Sequence, residues 1–396
     1  MKFSVADQTR IDLWILRKDL EKSSLKTYLF SLRNFCKMVD KSPNELIFEA
    51  DAEEEQGIKL RDRKINYYFF KFKNQLQSEG KSEGTIKLYL YAVKSFYEGM
   101  DIQIPKFKIP RGDISLEKNY GKLISKKEIQ TLINVAAARE RALIYLMALS
   151  GMAQAEARSI SLRKFMDAAG DSLNKEINSL EKLFELEREL EKEVITINIV
   201  RKKVNYRYIT FIPPEATFQI ISYLKERMYG RNHKIRIRDY EDALFVKTDG
   251  KPIDRDCIVT NFRRIGLEAG FKKKKGAYSF WRAHGLRKYF ISTIMNKLGD
   301  KVLADFLAGH KISDVDRAYW YMDSEDLKNR YLKALPYLSI DQVKVKDIKS
   351  DDFKRIEELE KYQEYMKKRL IETEKVVDII KTDPEVRNLI NEKIGK

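Results

Sequence analysis

Cysteine is nearly absent from this 396-residue chain. The two cysteines, Cys36 and Cys257, have no paired spacing, which argues against a disulfide scaffold and against a cysteine-rich zinc site. We therefore expect a protein of a reducing compartment, the cytoplasm.

The chain also lacks a long apolar run. No uninterrupted apolar segment is long enough to span a bilayer, and residues 1–18 mix charges into their apolar positions. We expect a soluble protein that is not exported and has no membrane partner. Its length leaves room for two domains, each with its own hydrophobic core.

Acidic residues are too few to balance the basic ones. The chain has 77 Lys and Arg against 60 Asp and Glu, a net charge of +17, and the basic residues recur along the whole length beside Tyr and Phe. This distribution favours a polyanionic partner such as nucleic acid. A charge-rich surface adapted to heat is the alternative, although that adaptation tends to leave the two signs balanced.

Helical periodicity dominates the beginning of the chain. It predicts one helix capped by Ser23 or Ser24, a second over 65–76 and a third after Ser82. We therefore predict a small all-helical domain over 1–103. Residues 104–119 are basic, contain prolines and show no periodicity, so they are predicted to form an extended linker.

A second, catalytic domain is predicted over 120–338. A capping box from Ser125 to Glu128 begins one helix, and a buried helix covers 141–149. Leucines at helical spacing in the charged segment 171–193 predict an inserted helical arm. The simpler interpretation is that this arm is solvated and has only a structural role.

A β-hairpin is predicted within the second domain. Polar and apolar residues alternate over 194–200 and again over 206–212, with basic residues between them. The predicted fold class is thus mainly α with a small antiparallel sheet. Residues 339–396 are predicted to form a helical tail, which packs on its own subunit or contacts another one.

Two of the three histidines lie in ordered motifs. The motifs read His284-Gly285-Leu286-Arg287 and Gly309-His310-Lys311, and Tyr319 follows nine residues after His310. A lone histidine is more often structural, but this order resembles the tyrosine recombinases of the phage-integrase type. Upstream, the family box that ordinarily reads Thr-Gly-Leu-Arg-x-x-Glu is similar to Ser150-Gly151-Met152-Ala153-Gln154-Ala155-Glu156.

The resemblance implies a fold and a partner. The N-terminal helices are similar to the family's core-binding, SAM-like domain, and the two domains together would form a C-shaped grip around duplex DNA at a specific attachment site. Four protomers on two duplexes would exchange strands. The segment 331–338 resembles the end of the catalytic domain in archaeal integrases, which suggests an archaeal or mobile-element origin in a nucleoid-associated location.

The resemblance also assigns roles. Attack on a phosphodiester requires cations and donors around the phosphate, and the planar fork of arginine binds phosphate bidentately. Arg287 would hold the phosphate, His284 would contact it or help to deprotonate the nucleophile, and His310 would donate to a transition-state oxygen. Tyr319 would form a 3′-phosphotyrosine, with Tyr321 as the nearest rival.

A general acid for the leaving 5′ hydroxyl is expected on the hairpin. The closest match to the family's lysine is Lys203, and the adjacent Lys202 competes with it, since neighbouring residues of a strand point to opposite faces. Both could instead be ordinary phosphate contacts. The resemblance implies no metal and no nucleotide cofactor, and the chain lacks a Gly-x-x-x-x-Gly-Lys motif and a clustered carboxylate set.

One position departs from the family pattern. Ala153 stands where the first catalytic arginine is expected, and losing such a donor commonly costs on the order of a hundredfold to a thousandfold in rate. Either a replacement was introduced to block cleavage, or the protein is naturally altered and another residue, such as Arg158, reaches the phosphate. On a continuing helix Arg158 would point about 140° away from Ala153.

Further DNA contacts are predicted at basic residues of the second domain. They are Lys272, Lys273, Lys274, Lys275, Arg255, Arg263 and Arg264. For the lysine run a solvated loop is an equal alternative. Two rival functions stay open: a type IB topoisomerase-like enzyme, which uses a similar set of residues, and a non-catalytic DNA-binding protein, which Ala153 favours.

Overall fold

The computed structural model describes residues 3–104, 122–201, 205–272, 278–312, 323–341, 362 and 365–373. The chain divides into two compact units, Met1–Asn119 and Tyr120–Lys396. Each unit has its own hydrophobic core.

The described part of the first unit is entirely helical. Its α-helices are α1 (Val5–Arg17), α2 (Lys22–Val39), α3 (Pro43–Glu55), α4 (Lys64–Ser78) and α5 (Glu83–Gly99). Aromatic rings fill the centre, where Phe35 packs against Phe72 with ring centroids 5.3 Å apart and Trp14 packs edge-on against Phe96. Trp14 also donates a 3.1 Å hydrogen bond from Nε1 to Ser95 Oγ, so its one polar atom is satisfied inside the unit.

The helix starts in this unit partly differ from the sequence prediction. Ser82 caps α5 as expected, its side chain accepting from the amide of Thr85. The predicted cap at Ser23 or Ser24 is wrong, because α2 already begins at Lys22 and the cap position falls on Glu21. The helices α1 and α3 were not predicted, although each begins with a complete capping box.

The second unit is also mainly helical. Its described elements are α6 (Lys126–Val135), α7 (Ala138–Ser150), α8 (Gln154–Arg158), α9 (Leu162–Leu173), α10 (Leu180–Glu185), α11 (Glu187–Leu190), β1 (Ile195–Arg201), β2 (Tyr206–Ile212), α12 (Pro214–Tyr229), α13 (Arg255–Glu268), α14 (Ala283–Leu298), α15 (Lys301–Leu307) and α16 (Ser324–Leu338). The capping box of Ser125 and Glu128 begins α6 as predicted.

Helix α7 is the centre of the second core. Its residues from Ala142 to Ser150 are all buried, and it packs against α12, α14 and β2. Tyr331 on α16 reaches the end of this helix and donates a 2.8 Å hydrogen bond to the carbonyl oxygen of Leu149. The core therefore holds the end of α7, where the motif beginning at Ser150 starts.

Strands β1 and β2 form an antiparallel hairpin, as predicted. The register pairs Ile195 with Ile212 at the open end and Arg201 with Tyr206 beside the turn. The hairpin is fastened to α7 by Thr210, whose Oγ1 donates a 2.7 Å hydrogen bond to the carbonyl oxygen of Ser150. Two parts of the candidate site are thus joined directly.

The charged segment 171–193 is not a single solvated arm. It contains the end of α9 and the two short helices α10 and α11. Leu183 and Leu190 are fully buried in the core of the second unit. The leucine spacing correctly predicted helices, but the segment lies on the domain instead of forming a solvated arm, because its apolar face covers the core.

The end of the described catalytic unit is tied to α12. Glu215 accepts hydrogen bonds from Ser339 Oγ and from the amide of Ile340. In the predicted tail, residues 365–373 are helical, with Met366 and Leu370 exposed. Across the described ranges, every helix is too short or too polar to cross a membrane.

Candidate active site

Helix α14 carries both His284 and Arg287. The two residues are three positions apart near the start of the helix, so their side chains lie on one face. His284 is partly exposed to solvent, whereas Arg287 is only 2% exposed. Arg287 donates a 2.7 Å hydrogen bond from Nη1 to the carbonyl oxygen of Gly151, and within the described residues its buried Nη2 has no partner.

Gly151 is suited to this contact by its lack of a side chain. It closes α7 with a φ of +69°, a conformation that L side chains rarely adopt. A Cβ here would also lie 2.3 Å from a carbon of the Phe290 ring. The turn can therefore bring its carbonyl oxygen to Arg287 only because this residue is glycine.

The surroundings of Arg287 are positively charged. Burial lowers the pKa of its guanidinium first, and the nearby charge of Arg201 lowers it further, while Tyr208 and Glu156 act in the opposite direction. A buried cation with an unsatisfied N–H group is an unfavourable arrangement unless an anion is bound there. Arg287 has the environment of an anion-binding residue.

His310 follows a glycine turn at the end of α15. Its amide donates a 2.8 Å hydrogen bond to the carbonyl oxygen of Asp305, and its Nδ1 lies 2.8 Å from Asp305 Oδ1. Burial alone would raise the pKa of Asp305, but hydrogen bonds from Lys301 and His310 lower it below its usual range. The ionised carboxylate is the acceptor for a proton on Nδ1, and this contact orients the ring.

His284 lies close to the other cations of the site. Its pKa is lowered, first by burial and then by the positive charges of Arg282, Lys288, Arg287 and His310. The structure thus brings His284, Arg287 and His310 together, as the motif order implied. At neutral pH the imidazole of His284 is uncharged and can accept a proton.

Two residues of this cluster, Arg201 and Tyr208, were not predicted from the sequence. Arg201, at the end of β1, lies with its Nε 3.4 Å from Oε1 of Glu156 and donates a 2.7 Å hydrogen bond from Nη1 to the carbonyl oxygen of Gly309. The ring of Tyr208 packs beside Gly309. Strand alternation could have found Arg201, since it shares the inward face of Ile197 and Ile199.

Ala153 is the N-cap of the short helix α8, so the helix begins only after it. Glu156 is the third residue of that helix, and its side chain is 4% exposed. Arg158, the alternative phosphate ligand, lies near Asp254, whose pKa is lowered by a hydrogen bond from the Cys257 amide, by Lys247 and also by Arg158. Arg158 therefore lies within electrostatic range of Asp254, and its own Nε is buried without a partner among the described residues.

A cleft of about 550 Å³ lies beside His284. Its walls include two of the predicted DNA contacts, Arg255 and Arg263, and also Arg282, which was not predicted. Arg264, by contrast, pairs with Glu268 through two contacts of 2.7 and 2.9 Å. Of the three predicted arginines on α13, Arg255 and Arg263 therefore face the cleft, whereas Arg264 forms an ion pair with Glu268.

The remaining predicted site residues lie outside the described residues, except for Lys272, which is exposed. Those outside are Tyr319, Lys202, Lys203, Lys273, Lys274 and Lys275. Among the residues that are described, no group of three His, Cys, Asp or Glu side chains is placed to hold a metal ion.

Known proteins resemble this chain in sequence and in fold. The model of the phage integrase family matches residues 122–326. Tyrosine recombinase XerA of Saccharolobus solfataricus is 20% identical over 314 residues, which cover 79% of this chain and 87% of XerA. A solved lambda integrase dimer bound to a COC′ core site has a TM-score of 0.50 at 12% identity, covering 87% of this chain and 98% of that chain. A solved XerA recombinase has a TM-score of 0.35 at 20% identity, covering 83% of this chain and 97% of that one.

Proposed function

The chain belongs to the phage integrase family of tyrosine recombinases, and we propose that it cuts and rejoins duplex DNA at a specific attachment site through Tyr319. The observation that carries the proposal is the state of Arg287. Its guanidinium is buried beside His284 and His310, and Nη2 has no hydrogen-bond partner among the described residues. A scissile phosphate is the anion that this family would place there.

The reaction is a transesterification. The Tyr319 oxygen attacks phosphorus, a tyrosine–phosphate bond forms, and the bond from phosphorus to the 5′ oxygen breaks. The phenolic proton leaves to His284, and the 5′ oxygen takes a proton from Lys203 or Lys202 on the hairpin. The bond energy is conserved in the 3′-phosphotyrosine, so the 5′ hydroxyl of another strand can reverse the step and join a new partner.

Two features of the site support these proton transfers. The lowered pKa of His284 keeps its imidazole uncharged at neutral pH, as a proton acceptor must be. Asp305 holds Nδ1 of His310, so that Nε2 is available to a non-bridging oxygen as negative charge develops.

The proposed partner is duplex DNA held by more than one protomer. The cleft beside His284 presents Arg255, Arg263 and Arg282 to a passing backbone, and the whole chain carries a charge of +17. The lambda integrase of similar fold is a dimer bound to a core site. We extend this to a tetramer on two duplexes, in which strand exchange occurs between paired sites.

Ala153 is expected to slow cleavage, because one phosphate-binding guanidinium of the family pattern is missing. The test uses a pool of nicked duplexes of randomised sequence, from which covalent protein–DNA adducts are isolated under denaturing conditions. The Ala153→Arg variant should form adducts faster than the parent chain, and the selected duplexes should share a site. Substitution of Tyr319→Phe in the Ala153→Arg variant should abolish the adducts.

Each alternative result has a distinct meaning. Adducts that survive Tyr319→Phe would move the nucleophile to another tyrosine, with Tyr321 next. Adducts without a shared sequence would indicate a topoisomerase-like enzyme. Complete absence of adducts in the Ala153→Arg variant, with DNA binding retained, would instead establish a non-catalytic DNA-binding protein, the second function that Ala153 favours.

A further inference from the structure

The site contains a second, partly buried arginine that the family motifs do not include. Arg201 lies at the end of β1, immediately before the hairpin turn, and its side chain is 24% exposed. Its described contacts use Nε, towards Glu156, and Nη1, towards the carbonyl oxygen of Gly309. These two partners belong to the two motifs that flank the site, so Arg201 joins the motif of Ala153 to the motif of His310.

The contact with Glu156 places Arg201 beside Ala153. Ala153 is the N-cap of α8 and Glu156 is its N3 residue, and the helical turn between them is closed, since the Ala157 amide donates to the Ala153 carbonyl oxygen over 3.0 Å. The side chains at the N-cap and N3 positions of a helix are neighbours, which is why they can form a capping box. The guanidinium held by Glu156 therefore lies next to the volume into which a side chain at position 153 would extend.

The charges also point to a missing anion. Arg201 and Arg287 are close enough for the charge of Arg201 to lower the pKa of Arg287. Glu156 contacts Arg201 and lies near enough to Arg287 to raise its pKa. Asp305, the other carboxylate near Arg287, already accepts hydrogen bonds from Lys301 and His310. The two guanidiniums therefore share the one carboxylate of Glu156, which leaves positive charge in a partly buried site that a bound phosphate diester would stabilise.

We propose that Arg201 supplies the second phosphate-binding guanidinium in this chain, in place of the arginine absent at Ala153. The inference rests on the proposed recombinase function and concerns which residues hold its phosphate. Arg201 reaches the site from the hairpin, whereas the family pattern reaches it from the turn after α7. With Glu156 and Gly309 fixing the guanidinium, its remaining N–H groups can bind a non-bridging oxygen while Arg287 binds from the other motif.

Other cations fit this role less well. Arg158 is near enough to Asp254 to lower its pKa, and its described interactions include none with the turn of His310. Arg282 stacks on the ring of Tyr278, 4.1 Å from its centroid, and lines the cleft. Arg201, by contrast, contacts both the helix of Ala153 and the turn of His310.

The test measures the single-turnover rate of Tyr319 adduct formation on the nicked duplexes selected above. Arg201→Ala should lower the rate on the order of a hundredfold, the usual effect of removing one donor to a transition-state oxyanion. Arg201→Lys, which keeps the charge but loses the fork, should fall between parent and Arg201→Ala. The double variant Ala153→Arg with Arg201→Ala should recover at least tenfold over Arg201→Ala. Arg188→Ala, at an exposed arginine of α11, is the matched control.

A structural role for Arg201 would give a different pattern. If the residue only braces the hairpin, an arginine at position 153 cannot restore the brace, and the double variant would stay as slow as Arg201→Ala. That result would overturn the inference, as would an unchanged rate in Arg201→Ala. Thermal unfolding of each variant separates a loss of fold from a loss of chemistry.

The proposed function and this inference fail in different ways. Adducts formed by Ala153→Arg but not by the parent chain would support the recombinase chemistry and overturn the role of Arg201. Absence of adducts from every variant would overturn the proposed function, and the inference with it. A parent chain that forms Tyr319-dependent adducts, lost in Arg201→Ala and regained in the double variant, is the expected result.

Discussion

The guanidinium of Arg287 and the carbonyl oxygen of Gly151 are joined by a 2.7 Å hydrogen bond between residues 136 positions apart in the chain. The bond connects α14 to the turn that precedes Ala153. It uses Nη1 and leaves Nη2 without a partner among the described residues. Arg287 is thus oriented by the protein through one nitrogen, and we propose that it binds the scissile phosphate through the other.

The different roles of Nη1 and Nη2 predict the effect of Arg287→Lys. A lysine ammonium keeps the charge but cannot hold the Gly151 carbonyl oxygen and a phosphate oxygen with a rigid fork. We expect the rate of adduct formation to fall on the order of a hundredfold to a thousandfold. Affinity for the nicked duplex, measured by fluorescence anisotropy, should change much less. A loss of binding as large as the loss of rate would contradict the assignment.

Gly309 should tolerate no side chain. Its φ is +67°, and a Cβ would lie 2.5 Å from a ring carbon of Tyr208. Gly309→Ala should lower the free energy of unfolding by about 2–4 kcal/mol, from backbone strain and overpacking together. Gly299→Ala is the matched control, because Gly299 has a φ of +69° but open space around the added carbon. In urea unfolding, the Gly299→Ala variant should lose only about 1 kcal/mol of its free energy of unfolding. Equal losses would show that the Tyr208 contact has no effect.

His284 should make stability depend on pH. Burial and the surrounding cations place its folded-state pKa below the ordinary value of 6.5. Between these two values the unfolded chain binds more protons than the folded chain, so stability rises with pH. The stability is fully present above about 6.5 and is lost as the pH falls towards the folded-state pKa. In urea unfolding, the His284→Gln variant should lose less stability between pH 7.5 and pH 5.5 than the parent chain does. A loss equal to that of the parent chain would contradict this prediction.

The neighbouring arginines Arg263 and Arg264 should differ in their effect on DNA binding. Arg263 lines the cleft beside His284, whereas Arg264 is paired with Glu268. Arg263→Ala should weaken binding and reduce the slope of log affinity against log salt by about 0.9, the release expected for one phosphate contact. Arg264→Ala should leave the slope nearly unchanged. A smaller slope in both variants would place both residues on the DNA.

Local signals were sufficient to predict much of the fold. The Ser82 cap, the capping box at Ser125 and the alternation of the hairpin strands all act within a few residues, so they can be recognised without tertiary information. The same signal was present at Ser4 and at Ser42, where helices begin that were not predicted. The segment 171–193 was placed wrongly, because helical spacing reveals an apolar face but not what covers it.

The candidate site likewise contains residues that the sequence predicts and contacts that depend on the tertiary structure. His284, Arg287 and His310 were predicted as site residues because their order along the chain resembles a family pattern, and the structure places Arg287 and His310 near His284. The pairing of Glu156 with Arg201 spans 45 positions and depends on the hairpin returning to α8, so no local signal predicts it. The separation of Arg263 from Arg264 likewise depends on Glu268 and on the position of the cleft.

The hydrogen bond from Arg201 to the carbonyl oxygen of Gly309 links the end of β1 rigidly to the turn that carries His310. The tyrosine ring of β2 that fills the space above Gly309 stiffens the same joint from the other side. Any force that a bound duplex exerts on Arg201 is transmitted through this hydrogen bond to Gly309, the residue before His310. Binding of DNA by the hairpin and positioning of His310 should consequently occur together. Loss of the hydrogen bond between Arg201 and Gly309 would separate DNA binding from the positioning of His310, although the hairpin and the turn would each stay folded.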